Sequence, residues 1–486
     1  MPKPVRSSSP RSRSWSPCCA VAVLACLAQG CIASDAGYAD ARRVVHDRVG
    51  QDVKWRAVDS SAANAEKETA SLLDQPLTAD AAVRVAMLNN HDVQAAFEEI
   101  GIARARLVSA VALPNPELEG RIGFVRGGEP EYTFVASESI SDLVWLPLRE
   151  SAARAELDAA KLAVAGRLLD FVFAVKVAFY EQEAAERVLV LTRTTRDAAE
   201  ASYEAAERLH EAGNIPDLDF ITQRALREES DTAAEEAEVE RSRAEGQLAL
   251  LLGVPTFRIA FPAGGKNQRD TDQSAIPAKE LDLARLDARA LSRSLDVEIA
   301  RREADAASKR ASLARATGIV PELRGGFEAE RLTGEPWAFG PMAALRLPLF
   351  YQGQGQVAEA ESQMRRATET RAALLERVGR EAKLAGDRLL AARKRVTRYE
   401  QEILPLRRRI VEETLLRYNA MIVGVFQLLQ AKRDQVESEL KYARAVRDYF
   451  IARTEVELFL AGRIPASRPA SETTLTRPPP TASSHE

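Results

Sequence analysis

The stretch that most constrains this chain runs from about Arg149 to Glu211, where apolar or small residues recur every three or four positions. Ala153, Leu157, Ala160, Val164, Leu168, Val172, Val175 and Phe179 lead on to Ala185, Leu189, Ala199, Tyr203, Ala206 and Leu209, the period of one helical face. At about 1.5 Å per residue such a helix reaches roughly 95 Å, far beyond the diameter of a globular domain. It closes at the turn HEAGNIPDLDF and is answered by a second helix running back to Gly253. A rod this long must serve something extended.

A composition of 46% hydrophobic and 28% charged residues excludes wholesale disorder, and only 6% aromatics with abundant alanine favours closely packed helices. Lys3, Arg6, Arg11 and Arg13 precede the apolar run from Ala20 to Ala28, the arrangement of an export signal too short to span a bilayer. Two cysteines close this run, and each suits the modified residue of a bacterial lipoprotein signal. Val23-Leu24-Ala25-Cys26 has the better branched residue three places before the cysteine, whereas Ala28-Gln29-Gly30-Cys31 has the polar, helix-breaking context expected after an apolar core. Cys31 is the preferred site and Cys26 the alternative; an ordinary cleaved signal with incidental cysteines stays open. No cysteine follows Cys31, and His46, His91, His210 and His485 are scattered, so neither a disulfide framework nor a metal site is expected. Removing the signal takes away four positive charges and moves the net charge from −4 to −8, a poor balance for binding nucleic acid. No later segment approaches roughly eighteen consecutive apolar residues, so a membrane would be crossed with strands and not helices.

Residues 32–76 are polar and weakly patterned, as expected of a tether packed on the outside of something else. Thr78 is a plausible N-cap, and Ala82, Val85, Ala86, Val93, Ala96, Phe97, Ile100, Ala103 and Leu107 predict one helix as far as about Ala112. Then the period changes to two: Leu118, Gly120, Ile122 and Phe124 oppose Glu117, Glu119 and Arg121. A turn at Gly127-Gly128-Glu129-Pro130 and a return strand over Tyr132–Ile140 complete a hairpin, and Trp145-Leu146-Pro147-Leu148 feeds the long helix. After a linker ending near Pro277 the programme repeats. A helix is predicted from about Lys279 to Thr317, then a hairpin in which Leu323, Gly325, Phe327 and Ala329 alternate with Arg324, Glu328 and Glu330. Leu347-Pro348-Leu349 mirrors Leu146-Pro147-Leu148, a second long helix spans about Gln356 to Arg417, and its partner returns to Leu460-Ala461-Gly462.

The boundaries are a lipoprotein-type signal peptide at 1–30, a tether at 31–76, repeats at 77–255 and 279–465 joined by a linker at 256–278, and a disordered tail at 466–486. The fold class is mainly α with a β-barrel portion: a duplicated unit of helix, β-hairpin, long helix and helix, with all strands at one end of the rods. Four strands cannot close a barrel, but three copies would supply twelve. A soluble sheet packed on its own helices would alternate equally well.

Four stretches bear on this choice. LTADAAVRVAMLNNHDVQAAFEEIGIARARLVSAVALPNPELEGRIGF resembles the opening of the TolC-like outer membrane factor family, especially its metal-efflux branch, in which "NNP" or "NNH" and "LPNP" flank the first helix. FGPMAALRLPLFYQGQGQVAEAE resembles the second strand of that family's second repeat and the Leu-Pro-Leu-Phe start of its longest helix, while GNIPDLDFITQRA and FQLLQAKRD resemble its two post-tip helix starts. The resemblance covers nearly all of the mature chain. It implies a trimeric α/β-barrel channel-tunnel, a homotrimer with a twelve-stranded barrel in outer-membrane lipid, a helical barrel through the periplasm and an N-terminal lipid anchor. It also implies a periplasmic adaptor and an inner-membrane pump of the RND type as partners, with metal ions as the cargo suggested by the branch. Drug efflux or type I secretion through the same architecture, and a soluble periplasmic coiled-coil scaffold, remain alternatives.

No nucleophile, paired-carboxylate or phosphate-loop constellation stands out, and Gly353-Gln354-Gly355 lacks the third glycine and the βαβ context of a dinucleotide loop. No enzyme activity and no cofactor are expected. The periplasmic tips are the candidate sites. In the first, Gly213 matches the family's turn glycine, Asn214 follows it, and Pro216 suits the first turn of the next helix. In the second, after Tyr418, the family's acidic ring position is matched by Met421, Ile422 and Val423, with Gly424 slightly later. These residues are expected either to form a hydrophobic constriction that gates by dewetting or simply to pack the turn. Glu412, Glu413 and Arg417 are candidate salt-bridge latches or a solvated face.

Overall fold

The computed structural model describes residues 37–50, 55, 62–124, 126–255, 276–277, 280–319, 322–347 and 349–465. The expected signal peptide, Cys26, Cys31, most of the linker and the tail lie outside the described residues.

Among the described residues the first repeat comprises α3 (Ala79–Asn89), α4 (His91–Val111), β1 (Glu117–Gly123), β2 (Glu131–Ser139), α5 (Ile140–Glu211) and α6 (Asp217–Leu252), preceded by α1 (Tyr38–Val49) and α2 (Ala62–Leu73). The second comprises α7 (Leu286–Arg293), α8 (Leu295–Ile319), β3 (Glu322–Arg331), β4 (Ala338–Arg346), α9 (Gln354–Arg398), a π-turn (Tyr399–Ile403), α10 (Leu404–Asn419) and α11 (Val425–Ala461). The duplicated order expected from the sequence is present. With 72 residues, α5 is roughly 108 Å long.

Several expected boundaries move, each for a local reason. The weakly patterned tether contains α1 and α2, and Tyr38, Ala41, Val45 and Trp55 are buried in the first repeat's core. The ring of Tyr38 lies 5.7 Å from that of Trp55 and 5.1 Å, edge-on, from that of Phe97. Three-turn helices held by so few contacts leave little periodic trace. The single helix expected over 78–112 is broken at the buried Asn90. Its side-chain oxygen accepts from the Asp92 N–H at 2.7 Å while its amide donates to the Leu251 carbonyl at 3.0 Å, so one side chain caps the start of α4 and the end of α6. Gly253, at φ +66, completes this joint, because a Cβ there would sit 3.1 Å from the Asn89 backbone. Thr78 caps α3 as expected, accepting from the Ala81 N–H at 3.0 Å.

The long helix begins at Ile140 rather than near Arg149, and Pro147 lies inside it. The proline forfeits the bond to the Leu143 carbonyl, and an Asp142–Arg149 ion pair spans the gap. The helix expected from Lys279 starts at Leu286 and breaks at Ser294. There Leu295 N–H donates to the Gly462 carbonyl at 2.7 Å, which ties the break to the end of α11. The second long helix is interrupted by the π-turn just before Pro405, whose ring would clash with the carbonyl four residues back in a regular helix.

Two apolar clusters hold the rods. One gathers α1, α3, α4, α5 and the end of α6; the other gathers α7, α9 and α11, and Tyr180 of α5 packs against both. The Tyr180 ring stacks on Phe450 at 4.8 Å. Between the repeats the half-buried Arg463 pairs with Asp170 of α5 at 3.0 Å and with Asp296 of α8. Gly166 leaves room for this guanidinium, which would lie 3.0 Å from a Cβ at that position. The sheet is antiparallel in the order β1-β2-β3-β4, and the pairing of Phe134 with Ala329 and Ala136 with Phe327 joins the two hairpins into one surface.

Replacing Asn90 with Ala removes an N-cap and orphans a helix-end carbonyl, so stability should fall by about 2 kcal/mol in thermal unfolding. Asn90→Asp, which keeps the cap and loses the donor, should fall between the two.

Candidate functional site: two helical tips and a two-faced sheet

Both tips close with the same hydrogen-bond pattern. In the first, Gly213 N–H donates to the His210 carbonyl at 2.9 Å and Asn214 N–H reaches back to the Leu209 carbonyl at 2.8 Å, with Gly213 in the left-handed region at φ +72. In the second, Met421 N–H donates to the Tyr418 carbonyl and Ile422 N–H to the Arg417 carbonyl, both at 2.9 Å. Met421 therefore occupies the position of Gly213 and holds φ +59 without being glycine. Gly424 stands where Pro216 does, each as the N-cap of the returning helix; Pro216 thus precedes the first turn of α6 and is not part of it. At φ −79 Gly424 needs none of a glycine's freedom.

The two tips are packed differently. Ala199, Ser202 and Ala206 are buried at the end of α5, and Ser202 donates to the Gln223 side chain of α6 at 2.7 Å. The His210 ring stacks on Phe220 at 4.9 Å, and Arg227 sits 5.0 Å over the Tyr203 ring while pairing with Glu200. In α10, by contrast, Leu404 is the buried residue and nothing beyond it is buried. Met421 is 94% exposed and Ile422 73%, Val423 is half-buried, and Tyr418 is exposed.

Glu412, Glu413 and Arg417 form no ion pair within the chain among the described residues. The pair that does tie the second tip is Arg407 to Asp434 at 3.0 Å. It answers Glu200–Arg227 in the first tip: each spans 27 residues across its turn, with the signs exchanged. Counting outward from the two turns would have found both pairs in the sequence.

At the other end, register puts every residue of the sheet on one of two faces. Leu118, Ile122, Phe134, Phe327, Phe339 and Leu345 share one face, and Leu118, Phe327 and Phe339 are 83%, 74% and 79% exposed. Glu117, Glu119, Arg121, Arg324, Glu328, Glu330 and Arg346 share the other, with Arg324 paired to Glu117 and Arg346 to Glu322. Trp337 stacks between Phe134 and Phe339, at 6.2 and 6.3 Å, near the hairpin turns. Phe350 and Tyr351 stand exposed just beyond the opposite end. The 9 residues of β2 extend about 30 Å, so at a tilt of about 40° the apolar face is close to the roughly 25 Å band of an outer-membrane barrel. Among the described residues the outer edges of β1 and β4 have no strand partner.

The exposed Met421 side chain contributes little packing to offset its left-handed backbone. Met421→Gly should therefore raise the stability of the second tip by about 1 kcal/mol, read as slower hydrogen exchange of the Met421 and Ile422 amides. Gly213→Met should cost a similar amount at the first tip.

No protein-family model matches the chain. It is 23% identical over 386 residues to the cobalt-zinc-cadmium resistance protein CzcC of Cupriavidus metallidurans, covering 79% of this chain and 90% of that protein. It is 26% identical over 384 residues to nodulation protein T of Rhizobium leguminosarum bv. trifolii, covering 74% of this chain and 80% of that one. The crystal structure of CusC, a protein that forms a transmembrane channel, superposes with a TM-score of 0.62 at 19% identity over 79% of this chain and 92% of its own. Long-range sequence similarity and fold agree with the order of motifs in likening the chain to the TolC-like outer membrane factor family, whose channel fold it shares.

Proposed function

We propose that this protein is the outer-membrane channel of a tripartite efflux system, conducting its cargo passively from an inner-membrane pump and a periplasmic adaptor to the exterior. The observation that carries this reading is the sheet: exposed apolar side chains cover one face between Arg331 and Glu138 near its ends, charges dominate the other, and among the described residues neither outer edge has a strand partner. Lipid supplies no hydrogen bonds to an open edge, so such a sheet is stable in a bilayer only when copies join edge to edge. Three copies give twelve strands, enough for an aqueous lumen, and set six helix pairs side by side below it. Lipidation at Cys31, or at Cys26, would anchor the assembly to the same membrane.

Metal ions are the proposed cargo and an RND pump the proposed energy source, on the similarity to CzcC. The polar face of the sheet agrees with a cationic cargo, since Glu117, Glu119, Glu322, Glu328 and Glu330 outnumber Arg121, Arg324 and Arg346. At the opposite mouth Met421 and Ile422, exposed at the second tip, form a hydrophobic gate where other family members carry an acidic ring. Gly213, Asn214 and Pro216 belong to the better-packed tip and offer the adaptor a fixed surface. Glu412, Glu413 and Arg417, without ion-pair partners among the described residues, are available to a neighbouring copy.

The purified protein should migrate as a trimer in detergent and conduct ions in planar bilayers; a freely soluble monomer would sink the channel reading. Replacing Met421 and Ile422 together with Ser should wet the gate and raise the closed-state current several-fold. An unchanged closed-state current would mean that these side chains do not form the constriction. A deletion strain should become sensitive to divalent metals before drugs, and the reverse order would reassign the cargo.

A further inference from the structure

Away from both the tips and the sheet, a cavity of about 300 Å³ opens between the end of α1, the middle of α5, the end of α7 and the end of α11. Its floor is apolar and buried, made by Leu169, Val172 and Leu458, with Phe173 and Leu460 as walls. Its rim is cationic. Lys176 is answered by Glu457 at 3.3 Å and Asp80 at 3.8 Å. Among the described residues Arg48 is not answered in this way: it donates to the backbone carbonyls of Arg293 at 2.7 Å and Ala461 at 3.3 Å, which bind its hydrogens without cancelling its charge. Burial, and then the charge of Arg293, pull the Arg48 guanidinium below its ordinary pKa. Arg293 itself is exposed and forms no ion pair among the described residues. Among the described residues neither guanidinium forms an ion pair, with the neighbouring Asp47 only partly offsetting the charge of Arg48, and both stand over an apolar floor.

We propose that this cavity binds a single-chain amphiphilic anion, a medium-chain carboxylate whose head group meets Arg48 and Arg293 while its alkyl chain covers Leu169, Val172 and Leu458. The arginine fork suits the two oxygens of a carboxylate, and the volume lies at the small end of ligand pockets, which excludes a two-chain lipid. The cavity touches α1 and elements of both repeats, so an occupant bound only by the folded chain also fastens the two halves together. The inference does not depend on the channel reading.

The test is equilibrium dialysis of radiolabelled decanoate against the full-length protein in nanodiscs, with empty nanodiscs subtracted. Saturable binding of one decanoate per chain is expected, weakened roughly tenfold or more by Arg293→Gln and restored only in part by Arg293→Lys, which keeps the charge and loses the fork. Leu460→Trp, which fills the cavity, should abolish it while trimer migration and conductance stay unchanged. Decyltrimethylammonium, with the same chain and the opposite charge, should not compete. Absence of a saturable component, equal binding by Arg293→Gln, or equal competition by the cation would each overturn the proposal, and none of these results would bear on conductance.

Discussion

A backbone amide in hydrocarbon has no partner but another backbone, and this one constraint orders the rest of the molecule. A four-stranded sheet with an apolar outer face can enter a bilayer only if its first and last strands find each other through neighbouring copies. The chain's own geometry prepares for this. Pairing β2 with β3 fuses the hairpins of two repeats into one panel, and the helices leave that panel from the same end. The rods then inherit the spacing of the strands above them. Their low aromatic content and their small buried residues, such as Ala165, Ala178, Ala382 and Ala385, allow the close helix packing such a ring requires.

The sequence shows this architecture wherever a pattern is long or strictly alternating. The stripe from Ala153 to Leu209 and the alternation from Glu117 to Phe124 are enforced by packing along many residues, so each remains readable when single positions deviate. What escapes the pattern is what a single residue decides. Asn90 breaks a helix whose apolar stripe runs straight through it, because its side chain has two partners, one of them 161 positions away. Pro405 and the π-turn shift a ladder without disturbing the hydrophobic count on either side. Tyr38 and Trp55 enter the core as isolated aromatics in a polar stretch, where a periodicity search has nothing to measure.

The candidate site was legible in part for the same reason. Gly213 and Pro216 announce a turn by residue type, and an apolar trio at 421–423 is visible as a departure. That Met421 takes the left-handed position, and that Gly424 does not, follows from backbone hydrogen bonds that residue types alone do not specify. The ion pairs Glu200–Arg227 and Arg407–Asp434 were hidden among many charges on long helices. Their mirrored placement about the two turns separates them from the solvated majority, which contributes little to stability.

Duplication gives each chain two staves of similar length, and in the proposed trimer six staves would make a ring of nearly sixfold symmetry. The π-turn breaks that equivalence. One extra residue in a helical turn rotates everything beyond it by about 100° relative to a continuous helix. Residues from Leu404 to Asn419 therefore face differently from their counterparts in α5, and the mouth keeps only threefold symmetry. Any six-membered ring of partners docking there would meet two kinds of socket in alternation, one braced by aromatic stacking and one nearly bare.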